Sequence, residues 1–371
     1  MSQKQKVLII ENSQYITGGF KAIFSLTEAL KDKIEFYYVI PKGSKVKTVL
    51  QSSQYPVEEL RMLEISKQLK TFFYLPVLFK NARYIIKFMK EHAVNILHVN
   101  DIYNQLGCAV KFKQPAIKVI YHVRLLKNSY ISTFYSLFSK MINTYADKII
   151  CVSQAVYKDI GSGKKAVVLY DRPAITHKYA SWDGLHNPQK AKILYLGNYI
   201  PGKGQQLALQ VIKNLISRYP AISLHFYGDT QGQLSVDYIK ALKAYTNTHH
   251  LSAHVVFNHK TNDVEHTMKE HDLILNMSSS ESFSFVCLEA LLYGIPLVAT
   301  NSGGPAEITD YGKMAQLVPN NDITATENAI KKILDKPDEY ILLSRSAKVW
   351  AAEYFNFNTT VGCLYKMYTE Q

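Results

Sequence analysis

Two glutamates, Glu281 and Glu289, lie within SSSESFSFVCLEALLYGIPLVATNSGGPAEI, residues 278–308. Carboxylates are seldom buried without partners, so one before an apolar run and another inside it suggest chemistry. The apolar spacing predicts a short helix with Phe285, Leu288, Leu291 and Leu292 on one face. It would start near Ser284, be capped by Ser282 or Ser284, and stop at Gly294. A helix mouth that follows a strand's carboxyl end offers free N–H groups and a dipole to a phosphate or pyrophosphate. Glu281 then stands just outside that mouth, and Glu289 roughly 7 to 8 Å further along the axis. Carboxylates accept well from vicinal hydroxyls, so this spacing suits a sugar on one side of a diphosphate and a ribose on the other. The plain alternative makes Glu281 a charge favoured by the dipole and Glu289 a residue facing water. Spacing alone does not separate the two.

Other residues invite the same question. Gly197-Asn198 precedes Lys203-Gly204, and Gly18-Gly19 closes ENSQYITGGF. A glycine pair lets backbone approach a ligand closely, or simply starts a helix. His122 ends an apolar run, where a lone histidine is more often a satisfied structural residue than a catalytic one. No DxD motif stands at a strand end, and Asp101 and Asp229 are each alone. The cysteines at 108, 151, 287 and 363 have no metal-ligand spacing and read as reduced core thiols of a cytosolic protein.

The elements that must position these residues are legible as pattern. A chain of 371 residues suggests two domains. Apolar runs at 192–196, 222–227, 254–257, 273–276, 296–299 and 315–318 alternate with helical segments such as QQLALQVIKNLISRY, where Leu207, Val211 and Leu215 share a face. Runs at 6–10, 34–40, 95–99, 117–123, 147–152 and 166–170 repeat the theme. Alternation of this kind predicts α/β architecture, two doubly wound Rossmann-like parallel sheets that bind ligands at the strands' carboxyl ends and face a cleft. The expected division is 1–180, then 181–345 after a polar linker at 176–190, with 346–371 as C-terminal helices able to pack back on the first domain.

Charge is uneven. Residues 1–180 hold 27 Lys/Arg against 12 Asp/Glu, whereas 181–371 hold 16 against 18, which points to an anionic partner for the first half. No acidic residue falls between Glu64 and Glu91, where Lys67, Lys70, Lys80, Arg83, Lys87 and Lys90 cluster. The last four share a helical face beside an apolar stripe expected at Phe79, Ala82, Ile86 and Met89. An anionic lipid surface fits this pattern, and so does a core-packed helix with a solvated basic face. Nucleic acid is not expected, since no recognised binding motif accompanies the charge. No apolar run is long enough to cross a bilayer or act as a signal peptide. The expected location is cytoplasmic, or peripheral on the inner face of the cytoplasmic membrane.

Glu281-x7-Glu289, followed by YGIPLVAT and by Gly303-Gly304 with Glu307, resembles the signature of retaining glycosyltransferases of family 4, which have GT-B architecture. Gly197-Asn198-x4-Lys203-Gly204, LHFYGD, KIICVS, ENSQYITGGF and YHVR extend the resemblance over nearly the whole chain. The resemblance implies a nucleotide-sugar donor, UDP-linked by default, held by the second domain, and a carbohydrate or lipid-linked acceptor bound by the first. It implies that Glu281 contacts the donor sugar, Glu289 the ribose, and the backbone amides of Ser284 and Phe285 the diphosphate, with Asn198, His259, Ser282 and Phe283 also among the donor-binding residues. Lys203 would neutralise the leaving diphosphate, His122 would meet the sugar, and Gly18 and Gly19 would allow close approach to the donor. No metal and no cofactor is expected. Two departures stand out. Asn198 replaces the family's usual arginine, leaving Lys260, Arg124 or Arg172 as substitutes, and Asn258-His259-Lys260 replaces a glycine expected near the base. The competing readings are a nucleotide-sugar epimerase of related architecture and a non-catalytic nucleotide-sugar-binding homologue.

Overall fold

Short runs rich in β-branched and aromatic residues become buried parallel strands when helices can cover both faces of the sheet. The computed structural model describes residues 4–63, 73–129, 131–161, 163–172, 182, 187–230 and 232–370. Lys67, Lys70 and most of the 176–190 linker lie outside them. The chain divides into two units: unit 1 is Met1–Ile175 with Asn356–Gln371, and unit 2 is Thr176–Phe355.

Among the described residues of unit 1, seven strands form one sheet: β1 (Gln5–Glu11), β2 (Ile34–Pro41), β3 (Val57–Leu60), β4 (Ile96–Asn100), β5 (Lys118–Val123), β6 (Lys148–Cys151) and β7 (Ala166–Val168). Their order is β3-β2-β1-β4-β5-β6-β7, with every pairing parallel. The strand order reverses between β1 and β4. One face packs Val7, Ile9, Phe36, Tyr38, Ile120 and Ile150 beneath the Gly18–Leu30 helix and Leu364 and Tyr368 of the Phe357–Thr369 helix.

Unit 2 has six described strands: β8 (Lys192–Leu196), β9 (Ser223–Gly228), β10 (Val255–His259), β11 (Leu273–Asn276), β12 (Leu297–Thr300) and β13 (Gln316–Val318). They run β10-β9-β8-β11-β12-β13, again all parallel, and reverse between β8 and β11. The two-sheet, doubly wound expectation is met.

Three details differ from the sequence reading. β3 has no apolar run to announce it, because Glu58 and Glu59 sit in a half-buried edge strand. The Pro337–Tyr354 helix remains in unit 2 rather than breaking at 345. It buries Ser344, Ala347 and Ala351, and Phe355 packs on Phe283 with ring centroids 5.7 Å apart. The chain turns only at Asn356, whose side chain caps the next helix by accepting from Asn358 N and Thr359 N. Third, the basic helix Tyr74–Glu91 buries Tyr74, Leu78, Ala82, Ile85, Phe88 and Met89, which covers Ala82 and Met89 of the expected stripe but leaves Ile86 half-buried. Phe79 is exposed instead and lies under the Lys113 ammonium at 5.4 Å. No helix among the described residues is long and apolar enough to cross a membrane.

Candidate functional site

Ligands of open α/β sheets bind beyond the strands' carboxyl ends, where strand order reverses. In unit 2 that place lies between β8 and β11. The Phe285–Tyr293 helix begins there, with Ser284 as its N-cap at φ 99°. The Ser284 hydroxyl accepts from Cys287 N and from Asn276 Nδ2. A positive φ is unfavourable for serine, and such strain persists only where surrounding contacts enforce it. Gly294 ends the helix in the left-handed region at φ 71°, as its position predicts.

Two glycines show how the chain holds this mouth. Gly204 has φ 75°, and a Cβ there would fall 2.1 Å from Met277 O. A Cβ on Gly304 would fall 2.2 Å from Phe283 O, while Gly304 N donates to Glu281 O at 2.8 Å. Bare backbone at these positions lets the 201–204 turn and the Gly303-Gly304 turn pack directly on the 277–283 segment. Tyr195 pins the arrangement from below, accepting from Met277 N at 2.9 Å and donating to Lys203 O. Pattern reading had not singled out Tyr195, which looks like any core aromatic in KILYL.

Lys203 and Glu281 meet in this frame. Lys203 Nζ lies 2.5 Å from Glu281 Oε1, and their side chains are 30% and 14% exposed. The sequence reading gave these residues separate partners. The fold makes them one part-exposed ion pair. Glu289 is half-buried, as is Asn198, whose carbonyl accepts from Gln205 Nε2 at 2.9 Å. Ser282 is half-buried and Phe283 buried. His259 is exposed at the carboxyl end of the outer strand β10, with β9 between it and β8. It is not gathered with the others.

Unit 1 also has polar side chains where its strand order reverses. Strand register aligns Glu11, Asn100 and His122 across β1, β4 and β5. Glu11 accepts from Asn100 Nδ2 and from Ser13 N. Asp101, at φ 113°, accepts from Ile102 N at 2.7 Å and Arg124 N at 3.1 Å. Arg124 Nη2 bonds Asp171 Oδ1 at 3.0 Å, and His122 Nε2 lies 3.6 Å from the same oxygen. His98 Nδ1 bonds the Tyr368 hydroxyl at 2.6 Å. Burial pushes Asp101 and Asp171 up to about 6 and His98 down to about 3. It also holds His122 well below the ordinary histidine range, and the Arg124 charge acts in the same direction.

His122 is wholly buried, with neither ring nitrogen hydrogen-bonded. Gly18 and Gly19 open the adjoining helix, and a Cβ on Gly19 would stand 3.1 Å from Arg124 Cδ. Sequence reading named Arg124 only as a substitute cation and missed Glu11, Asn100 and Asp171. Their signal was position: each lies at or just beyond the carboxyl end of a strand.

Residues 179–350 match the family model described as glycosyl transferases group 1. An uncharacterized glycosyltransferase of Methanocaldococcus jannaschii is 24% identical over 365 residues, which cover 96% of this chain and 95% of that protein. The fold is similar to the crystal structure of Anabaena HepE in complex with UDP and glucose. The TM-score is 0.80 at 18% identity, covering 99% of this chain and 100% of that one. Sucrose-phosphate synthase from Thermosynechococcus elongatus gives a TM-score of 0.80 at 15% identity, covering 98% of each chain. These likenesses show that the fold is the two-domain Rossmann-like arrangement called GT-B.

Proposed function

From the match of residues 179–350 to glycosyl transferases group 1, we propose that this chain is a retaining, metal-independent hexosyltransferase of polysaccharide or glycolipid assembly. The single observation that carries the reading is the Lys203–Glu281 pair at the mouth of the Phe285–Tyr293 helix. A nucleotide diphosphate takes the helix N–H groups, and Lys203 Nζ turns from Glu281 to the phosphate oxygens. As the glycosidic bond breaks, negative charge grows on the leaving diphosphate, and a preplaced ammonium stabilises it more in the transition state than in the ground state. Glu281, released from lysine, accepts from sugar hydroxyls, while Glu289 accepts from the ribose. The backbone amides of Ser284 and Phe285 hold the diphosphate, and Ser282, Phe283, Asn198 and His259 complete the proposed donor contacts. In unit 1, the Gly18-Gly19 turn is proposed to meet substrate; His122 was expected to do so too, but the structure buries it completely.

UDP is the proposed nucleotide, supported by the UDP and glucose in the HepE complex. A thermal-shift screen against UDP, GDP, ADP and their sugars should raise the melting temperature most with UDP compounds. No shift with any nucleotide would remove the reading. Release of UDP only when an acceptor is supplied separates transfer from epimerisation.

A carbohydrate or lipid-linked acceptor goes with unit 1, and its basic surface suits anionic lipid. With Leu78, Ala82 and Met89 buried in the unit itself, attachment falls to the exposed Phe73, Leu75, Phe79 and Phe112 beside Lys80, Arg83 and Lys113. Vesicles containing acidic lipid should bind the protein in a salt-sensitive way. Equal binding to neutral vesicles at every ionic strength would count against attachment.

A further inference from the structure

The segments that follow β1, β3 and β4 meet the start of the Tyr74–Glu91 helix around a pocket of about 290 Å³, counting its open mouth. That is room for one sugar residue rather than a chain of them. Three side-chain amides line it: Asn12 after β1, Asn104 after β4 and Asn81 on the helix. The apolar walls include Met62, Val77, Leu78 and Leu106. No lining residue is charged, although residues 1–180 hold 27 Lys/Arg against 12 Asp/Glu. All of them belong to unit 1.

The hydrogen bonds of the amides leave a definite pattern open. Asn104 Oδ1 accepts from Leu106 N at 3.0 Å, which fixes the amide plane, and Nδ2 donates to Asn12 Oδ1 at 3.1 Å. Beyond that, Nδ2 meets only Met62 Sδ at 3.8 Å. A thioether is a weak acceptor, so a carbonyl oxygen would be a better partner for this N–H. Asn81 Nδ2 donates to Arg61 O at 2.9 Å, while its Oδ1 has no partner among the described residues. One donor, one acceptor and apolar walls match an amide that carries a methyl group. A bare polyol would set hydroxyls against Val77, Leu78 and Leu106, and a charged group would lose water without gaining a counter-charge. We propose that this pocket holds the N-acylamino group of a neutral amino sugar. The acyl oxygen accepts from Asn104 Nδ2, the amide N–H donates to Asn81 Oδ1, and the methyl packs on Val77, Leu78 and Leu106. The pocket adjoins the carboxyl ends of β1 and β4, where the strand order of this sheet reverses. The proposal rests on the transferase reading, in which unit 1 takes the acceptor, and narrows that acceptor to one ending in an N-acylated sugar.

The test is ligand-observed NMR on the full chain, with and without saturating UDP, and needs no turnover. The probes are methyl glycosides of N-acetylglucosamine and N-acetylgalactosamine, compared with those of glucose, galactose, glucosamine and glucuronic acid. At least one N-acetyl sugar should bind about fivefold more tightly than its hydroxyl counterpart, and the two charged sugars more weakly still. Asn81→Leu should bring N-acetyl and hydroxyl sugars to within about twofold of each other. Val77→Phe, which fills the pocket, should weaken the N-acetyl sugars about tenfold, and it decides the matter if Asn81→Leu fails to fold. Wild-type protein that binds none of these sugars overturns the proposal, as does equal affinity for the N-acetyl and hydroxyl forms. An N-acetyl preference kept by both folded variants overturns it too. UDP binding that survives these outcomes leaves the transferase reading standing. Absent UDP binding with the N-acetyl preference intact removes that reading and keeps the pocket.

Discussion

Each sheet reverses its strand order at its centre, and each places polar side chains there, yet the two places are built differently. In unit 2 the reversal between β8 and β11 is lined by backbone: the Gly204 and Gly304 turns press on the 277–283 segment, leaving a part-exposed Lys203–Glu281 pair. In unit 1 the reversal between β1 and β4 is filled by side chains: Glu11, Asn100, Asp101, His122 and Arg124 are all buried. Glycine makes room, whereas carboxylates and imidazoles held in a core must find partners or shift their pKa values. The same topology thus yields one part-exposed ion pair and one buried polar network around an incompletely paired arginine.

The largest expected effect tests the open side. Lys203→Ala should lower kcat/KM by about 10²–10³-fold, the range for losing one preorganised charge-stabilising group, while the fold survives. Wild-type turnover in this variant would make the unit 2 pair structural rather than catalytic. Next, Gly204→Ala should destabilise the protein by about 2–4 kcal/mol in denaturant titration, because the added Cβ meets Met277 O and the backbone sits at positive φ. An unchanged midpoint would mean that the turn is not held by close packing.

The buried network of unit 1 has its own test through His98. Its folded pKa lies near 3, below the ordinary value of 6.5, so the neutral ring is the one that folds. The stability this retains is fully present above pH 6.5 and falls as pH drops toward 3, by up to ~1.4 kcal/mol per pH unit. Asp101 and Asp171, raised to about 6, act oppositely over their own range, so wild type must be compared with His98→Gln. The variant should lose less stability between pH 6.5 and 5, and NMR of the wild type should show His98 neutral at pH 5. A His98 titrating near 6.5 would show that water reaches this network. The smallest effect is at the cap of the open side. Ser284→Ala should cost about 1 kcal/mol and Ser284→Gly only a few tenths, since glycine tolerates the positive φ. The reverse order would remove the strained-cap account.

Much of the open site was readable along the chain because it is made of local signals. The Ser284 cap, the Gly294 stop, the Gly303-Gly304 turn and Lys203-Gly204 each follow from a few neighbouring residues, so pattern found them. The strands β8 and β11 fell at the expected positions, while β3 hid behind two glutamates at an edge. On the Tyr74–Glu91 helix Ala82 and Met89 are buried as expected, but Phe79 and Ile86 are as apolar as Leu78 and Ile85, which are covered in their place. Only the neighbouring elements decide which row is covered.

The sequence by itself determined the alternation of strands and helices, the two parallel sheets and the capped helix that follows β11, because backbone propensity and apolar period are local properties. Tertiary structure alone decided that Lys203 would pair with Glu281, that His122 would be buried, and that Arg124 would lie beneath Gly19. These are meetings of residues far apart in the chain. Strand order and register set them, and the desolvation that gives them their chemistry exists only once both sheets have closed around their cores.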